Sequence, residues 1–136
     1  MEFAPYLFIT GGKCAEALDF YKGIFGGKID QLMRWKEAPA DMGLPAELGD
    51  RIMHSNFSST AVNFMASDSQ PTTKYGDGPI SLSLGTKDVN EAKRLFDALA
   101  QGGKVEMPLE KTFWGAMFGM LSDKYGIDWM VNCQLD

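Results

Sequence analysis

Along this chain the spacing of apolar positions changes several times, and each change marks an element. Ala4 to Ile9 is a short β-prone run, after which Ala17, Leu18, Tyr21, Ile24 and Phe25 recur at helical spacing, predicting a helix over Ala15–Phe25 that Gly26-Gly27 ends. Lys28 to Trp35 reads as a strand, and Lys36 to Gly49, with two Pro and two Gly, as a long loop. Arg51–Ser58 and Thr60–Ala66 predict a hairpin about Ser58-Ser59. Strict alternation along its first strand puts Ile52, His54, Asn56 and Ser58 on one face and Met53, Ser55 and Phe57 on the other. Further on, Pro79–Leu84 alternates with Ile80, Leu82 and Leu84 opposite Ser81 and Ser83. Asp88 then stands as a helix cap with Glu91 in capping-box position, opening a helix over Val89–Ala100. Lys104–Met107, Phe118–Ser122 and Asp128–Gln134 complete the strands, with Asp123-Lys124-Tyr125-Gly126 as the last turn.

The two halves carry the same succession. Adding 75 to Glu16, Ala17, Phe20, Tyr21 and Ile24 gives Glu91, Ala92, Leu95, Phe96 and Leu99. One inserted residue shifts the offset to 76, and Gly26-Gly27-Lys28-Ile29 then falls on Gly102-Gly103-Lys104-Val105. A weaker echo joins Val62-Asn63-Phe64-Met65 to Ile127-Asp128-Trp129-Met130 at an offset of 65. The expectation is an α+β fold of eight strands and two main helices: a βαβββ module at about 1–66, a linker at about 67–77 and a second module at about 78–136.

Composition narrows the class. At 136 residues, 45% apolar and 23% charged, the chain has the size and make-up of one globular domain. Its net charge of −5 is scattered and argues against nucleic acid, which needs clustered Lys and Arg. No apolar run reaches the roughly 20 residues that span a bilayer, and the start MEFAPYLFIT lacks a basic leader, so the expected location is the cytoplasm, away from membranes. Cys14 and Cys133 are read as free thiols.

The segments PYLFITGGKCAEALDFYKGIFGG and RIMHSNF, together with Phe113-Trp114-Gly115 and the tail Gly119, Asp123-Lys124-Tyr125-Gly126, Trp129-Met130, resemble the PhnB-like branch of the vicinal oxygen chelate superfamily. That superfamily includes glyoxalase I, extradiol dioxygenases and the fosfomycin- and bleomycin-resistance proteins. The resemblance implies paired βαβββ modules, each half of a cup that holds a small ligand or a metal, and a homodimer in which modules of two chains complete the cup. In the superfamily's enzymes His, Gln or Glu side chains from equivalent strands hold a divalent ion, which acts as a Lewis acid on two adjacent substrate oxygens. Carried onto this chain, the pattern meets Pro5, Tyr6 and Leu7 on the first strand, His54 on the third, Ser81 and Ser83 opening the second module, and Met130 on the last strand. A thioether does not replace a carboxylate for a hard cation, so neither a bound metal nor another cofactor is expected.

Candidate site residues follow from the same strands. His54 is the only histidine, and an imidazole is the side chain suited to proton transfer near neutral pH. It is either a catalytic base or donor, or a structural residue satisfied by a neighbouring strand. Asn56, Ser81, Ser83, Met130 and Asn132 are the expected ligand-binding groups, with Trp114 and Phe118 as a wall that core packing could equally explain. Two functions remain open: a metal-independent enzyme acting on a small oxygen-rich or quinone-like compound, or a non-catalytic protein that sequesters a small molecule as bleomycin-resistance proteins do. A methyl transfer from S-adenosylmethionine finds no glycine-rich nucleotide loop in the sequence.

Overall fold

The computed structural model describes residues 1–38, 45–69 and 80–135, and these form two compact units, Met1–Lys74 and Tyr75–Asp136. Each carries one four-stranded mixed sheet and one helix. The first unit contains β1 (Tyr6–Ile9), α1 (Cys14–Phe25), β2 (Lys28–Arg34), β3 (Ile52–Ser58) and β4 (Asn63–Asp68), in sheet order β1-β4-β3-β2. The second contains β5 (Leu82–Thr86), α2 (Val89–Ala100), β6 (Lys104–Lys111), β7 (Ala116–Ser122) and β8 (Asp128–Gln134), in the order β5-β8-β7-β6. The outer pairs β1/β4 and β5/β8 are parallel and the others antiparallel. The βαβββ repeat read from the sequence is therefore present twice.

In each unit the helix covers one face of its sheet, and alternation decides which residues meet it. Leu7, Ile9, Ser55, Phe57, Phe64 and Ala66 are buried on the α1 side, where Tyr21 meets Phe64 edge-on and Phe25 meets Phe57. In the second unit Leu121, Trp129, Val131 and Cys133 are buried, and a Cβ on Gly119 would lie 2.6 Å from the Phe96 ring of α2. Each fully buried large apolar side chain contributes about 1.5–3 kcal/mol.

The repeated Gly-Gly-Lys turns have a steric cause. A Cβ on Gly27 would stand 2.2 Å from the Ser58 carbonyl oxygen, and one on Gly103 2.3 Å from that of Ser122. Both helices thus return to their sheets across the end of the neighbouring hairpin at a distance no other residue permits.

Several sequence expectations are corrected. Ile52 does not share the face of His54. Arg34 pairs with Ile52 and Met33 with His54, so Met53 is an extra residue bulged out of β3, and the bulge turns Ile52 to the buried side with Ser55 and Phe57. The hairpin strand starts at Asn63 and runs to Asp68, because Ser59 closes a turn on Val62. β6 extends through Pro108 to Lys111, an edge position where two register shifts accommodate a residue without an N–H. β7 begins at Ala116 rather than Phe118. β5 begins at Leu82, whose partner is Trp129 near the start of β8, so Ile80 and Ser81 precede the strand and Ile80 is exposed. Pro79, most of the expected linker and part of the loop between β2 and β3 lie outside the described residues. The remainder of that loop holds short 3-10 turns at Trp35–Glu37 and Ala46–Leu48.

Candidate functional site

The face of the first sheet turned away from α1 is built in rows. Tyr6 pairs with Met65, Met65 with Asn56, and Asn56 with Asp30, while one step along Phe8 pairs with Ser67 and His54 with Met33. His54 and Asn56 therefore share a face, as the alternation predicts. His54 is held by a residue that the metal-ligand comparison passes over: the Tyr6 hydroxyl lies 3.1 Å from His54 Nδ1, and the two rings are 5.7 Å apart. Phe8 stacks on Tyr6 with centroids 4.8 Å apart.

Asn56 has a partner of its own. Its Nδ2 donates to Gln31 Oε1 at 2.8 Å. Gln31 reaches it because β2 places two residues, Gln31 and Leu32, between Asp30 and Met33, where β3 has Ser55 alone between Asn56 and His54. The extra residue takes φ +51°, the only positive φ at a non-glycine among the described residues. Left-handed backbone is costly for a residue with a Cβ and gathers where a side chain must be aimed. Sequence reasoning missed both Gln31 and Tyr6; a bulge leaves no periodic signal, and a tyrosine in a β-prone run reads as core.

The second sheet repeats these rows with different chemistry. Ser83, Met130, Met120 and Met107 form one continuous row, and Gly85, Asn132, Phe118 and Glu110 the next. Ser83, Phe118, Met130 and Asn132 thus share the face turned away from α2. Trp114 lies in the β6–β7 turn, edge-on to Phe118 at 6.0 Å and 53% exposed, beside an almost fully exposed Phe113. Ser81, expected on a strand, lies outside β5, and its buried hydroxyl has no hydrogen-bond partner among the described residues. In its last row this sheet keeps the pattern of the first: Lys28, Ser58 and Asn63 have as counterparts Lys104, Ser122 and Asp128, with Ser122 hydrogen-bonded to Asp128.

An open groove of about 500 Å³ is lined by Phe25, Gly27, Lys28, Ser58, Ser59 and Thr60, and it contains none of the expected site residues. The Ser59 hydroxyl in it is taken up by its own turn, donating to Val62 O and accepting from the Ala61 and Val62 N–H groups.

The thiol of Cys14 offers no nucleophile. Burial first, then the nearby Asp68 carboxylate, push its pKa from 9.0 up to about 12, against a smaller opposing effect of the Ser55 hydroxyl. A divalent ion is no better served. Among the described residues no three His, Cys, Asp or Glu side chains are grouped to hold one, and His54 has Tyr6 on Nδ1 and an amide pair and Met33 as neighbours. The donor set does not fit the metal of the superfamily's enzymes.

The comparisons with known proteins agree with this architecture. A family model described as 3-demethylubiquinone-9 3-methyltransferase matches residues 1–132. The chain belongs to that family. It is 41% identical to protein PA1353 of Pseudomonas aeruginosa, whose crystal structure it matches with a TM-score of 0.85 over 100% of this chain and 99% of that one. It is 29% identical to a PhnB protein of Bacillus cereus, with a TM-score of 0.80 over 98% and 99%. Protein YjdN of Escherichia coli is 33% identical, covering 97% of this chain and 95% of the relative. A glyoxalase/bleomycin resistance/dioxygenase superfamily member from Sphaerobacter thermophilus, 17% identical, shares the fold with a TM-score of 0.56 over 98% of each chain.

The family's description names a methyl transfer, and the structure bears on it at one place. Gly11-Gly12 stand between β1 and α1, the order in which many folds bind phosphate or nucleotide at a helix start. Here that start is occupied from within, since Asp68 Oδ1 accepts the Cys14 N–H at 2.9 Å. An anion arriving there would meet a carboxylate. No helix among the described residues is long and apolar enough to cross a membrane.

Proposed function

We propose that the face of the first sheet carrying His54 binds a small oxygen-bearing organic molecule, and that His54 is its proton-transferring group, without a metal. The observation that carries this reading is the Tyr6–His54 contact on a partly exposed sheet face, flanked by the Asn56–Gln31 amide pair. A histidine kept only for packing needs no exposed amide bridge held beside it on left-handed backbone. Met33 and Phe8, both partly exposed on the same face, offer the apolar area that a bound organic molecule needs.

Sequestration without chemistry is the second reading. The unbroken methionine row of the second sheet and the exposed Phe113 and Trp114 favour it, because thioethers and aromatics adapt to many shapes and catalyse nothing by themselves. The test is a small-molecule library screened by ligand-observed NMR against the wild-type protein and His54→Gln. Hits that bind both proteins and are turned over only by wild type support the enzyme. Hits bound by both and turned over by neither favour sequestration, and hits that leave the His54 ring signals unmoved remove this face as the site.

A further inference from the structure

Resting on that reading of the His54 face, we infer that Tyr6 fixes His54 as the Nε2–H tautomer, so that the site recognises an aryl oxyanion, a phenolate or aromatic carboxylate.

One hydrogen bond joins the Tyr6 oxygen to His54 Nδ1, at 3.1 Å, and only one proton can lie in it. If Nδ1 carried that proton, the tyrosine would act as acceptor, and its own hydroxyl proton would need another partner; none exists for it among the described residues. If the tyrosine donates, one bond satisfies both groups. Acidity points the same way. A phenol is a far stronger acid than a neutral imidazole N–H, and the imidazole nitrogen is the better base, so the phenol donates. Nδ1 is then the occupied acceptor, and the ring's one proton is on Nε2.

The neighbouring pair adds donors of the same kind. Asn56 Nδ2 gives one of its hydrogens to Gln31 Oε1, and the Gln31 amide nitrogen keeps both of its own free to donate. Nε2–H and an amide NH₂ are matched by an acceptor oxygen, and best by a charged one, because hydrogen bonds to an ionised partner are about twice as strong. Apolar surface lies open beside these donors: Phe8 stacks on Tyr6 at 30° and is 48% exposed, and Met33, across from His54, is 40% exposed. A ring lying on that surface with its oxygen toward His54 uses both features, and Tyr6 acts as a positioning residue.

Two measurements test this. Nitrogen NMR of the single histidine in the wild-type protein reads the tautomer of the neutral ring directly; the Nε2–H pattern is expected, and an Nδ1–H pattern overturns the inference whatever binds. Binding of 4-nitrophenolate, with neutral 4-nitroanisole as its shape-matched control, is then compared in wild type, Tyr6→Phe and Gln31→Ala. Wild type should prefer the phenolate and shift its His54 signals on binding. Tyr6→Phe should mix the tautomers and weaken the phenolate by about tenfold, the scale of one lost hydrogen bond, while leaving the anisole unchanged. Equal binding of both probes, each moving the His54 signals, overturns the oxyanion inference but leaves the ligand-binding reading standing. If neither 4-nitrophenolate nor benzoate moves those signals, the inference fails, and the library screen decides separately whether the face binds anything.

Discussion

The two modules share a backbone to the level of individual rows and differ in what the rows carry. Tyr6, Met65 and Asn56 have as counterparts Ser83, Met130 and Met120, and His54 has Phe118. One sheet presents a histidine with a bonded tyrosine and an amide pair; the other presents thioethers and a phenyl ring. The helices diverge in the same way. α2 is capped locally, with Asp88 accepting from the N–H groups of Asn90 and Glu91. α1 has Lys13 at that place with no side-chain cap and is capped from the far end of its module by Asp68, whose other oxygen takes the Ile52 N–H. Strand register and the glycine turns are what a βαβββ unit needs to close, so both halves keep them. Side chains on the outward face are free of that demand, and function can distinguish them there.

The largest effect should come from the core position at which the modules differ most. Phe64 stacks on Phe57 in the first; its counterpart Trp129 is fully buried in the second and donates Nε1–H to Asp123 Oδ2 at 2.8 Å. That same carboxylate accepts the Tyr125 and Ile127 N–H groups, so it holds the last turn together. Phe64→Ala should cost about 3 kcal/mol and Trp129→Ala about 5 kcal/mol, the excess reflecting the loss of the indole hydrogen bond to a buried carboxylate. Urea unfolding of both variants checks this; equal losses would mean that the indole bond adds nothing to the cavity cost.

How much of this was legible in the sequence follows from the same contrast. Periodicity and the offset repeat reached the helices and the succession of elements along the chain because burial on one face imposes a period, and the Gly-Gly-Lys coincidence reached the turns because a backbone clash leaves glycine alone. Counting twos set His54 with Asn56 on one face of their strand and Ser83 opposite Leu82 and Leu84 on another. Counting failed wherever a residue is inserted: at Met53, which moved Ile52 to the core, and at Gln31, which a bulge carries to Asn56. Tyr6 and Asp68 were illegible for another reason. Their roles lie in partners 48 and 54 residues away, and no local pattern encodes those.

The second effect concerns the helix starts. Asp68→Ala removes a cap from α1 and a tie to β3 together and should cost about 3 kcal/mol, whereas Asp88→Ala, which loses a local cap open to water, should cost about 1 kcal/mol. Chemical denaturation separates the two, and Asp68→Asn, which keeps one acceptor oxygen, should fall between them. A larger loss at Asp88 would show that α1 does not depend on its remote cap.

The third effect is a pH dependence. With the Cys14 thiol held at about 12 in the folded protein against an ordinary 9.0, the unfolded chain releases this proton first as pH rises. Stability is unaffected by this group below about pH 9 and declines above it, by at most about 1.4 kcal/mol per pH unit, until the folded thiol also ionises. Cys14→Ala should flatten that part of the profile at the cost of a small cavity. An unchanged slope in the variant would assign the decline to other groups.

The smallest change in stability belongs to the residue with the largest expected effect on function. His54 is only partly buried, and its one hydrogen bond among the described residues, to Tyr6, is of a kind that contributes about 1 kcal/mol net. Its counterpart Phe118 also faces outward, edge-on to Trp114, in the row between Asn132 and Glu110. His54→Ala should therefore lower the melting temperature by no more than a few degrees, as a loss of about 1 kcal/mol does in a chain of this size, and Phe118→Ala should lower it at least as far. Ligand affinity should order the pair the other way, with His54→Ala losing binding of the aryl oxyanion and Phe118→Ala retaining most of it. Melting curves and titrations on the same two preparations give both orderings. If His54→Ala melts far below wild type while keeping its affinity, the histidine is a structural strut between β1 and β3, and the chemical contrast between the two sheets has no functional meaning.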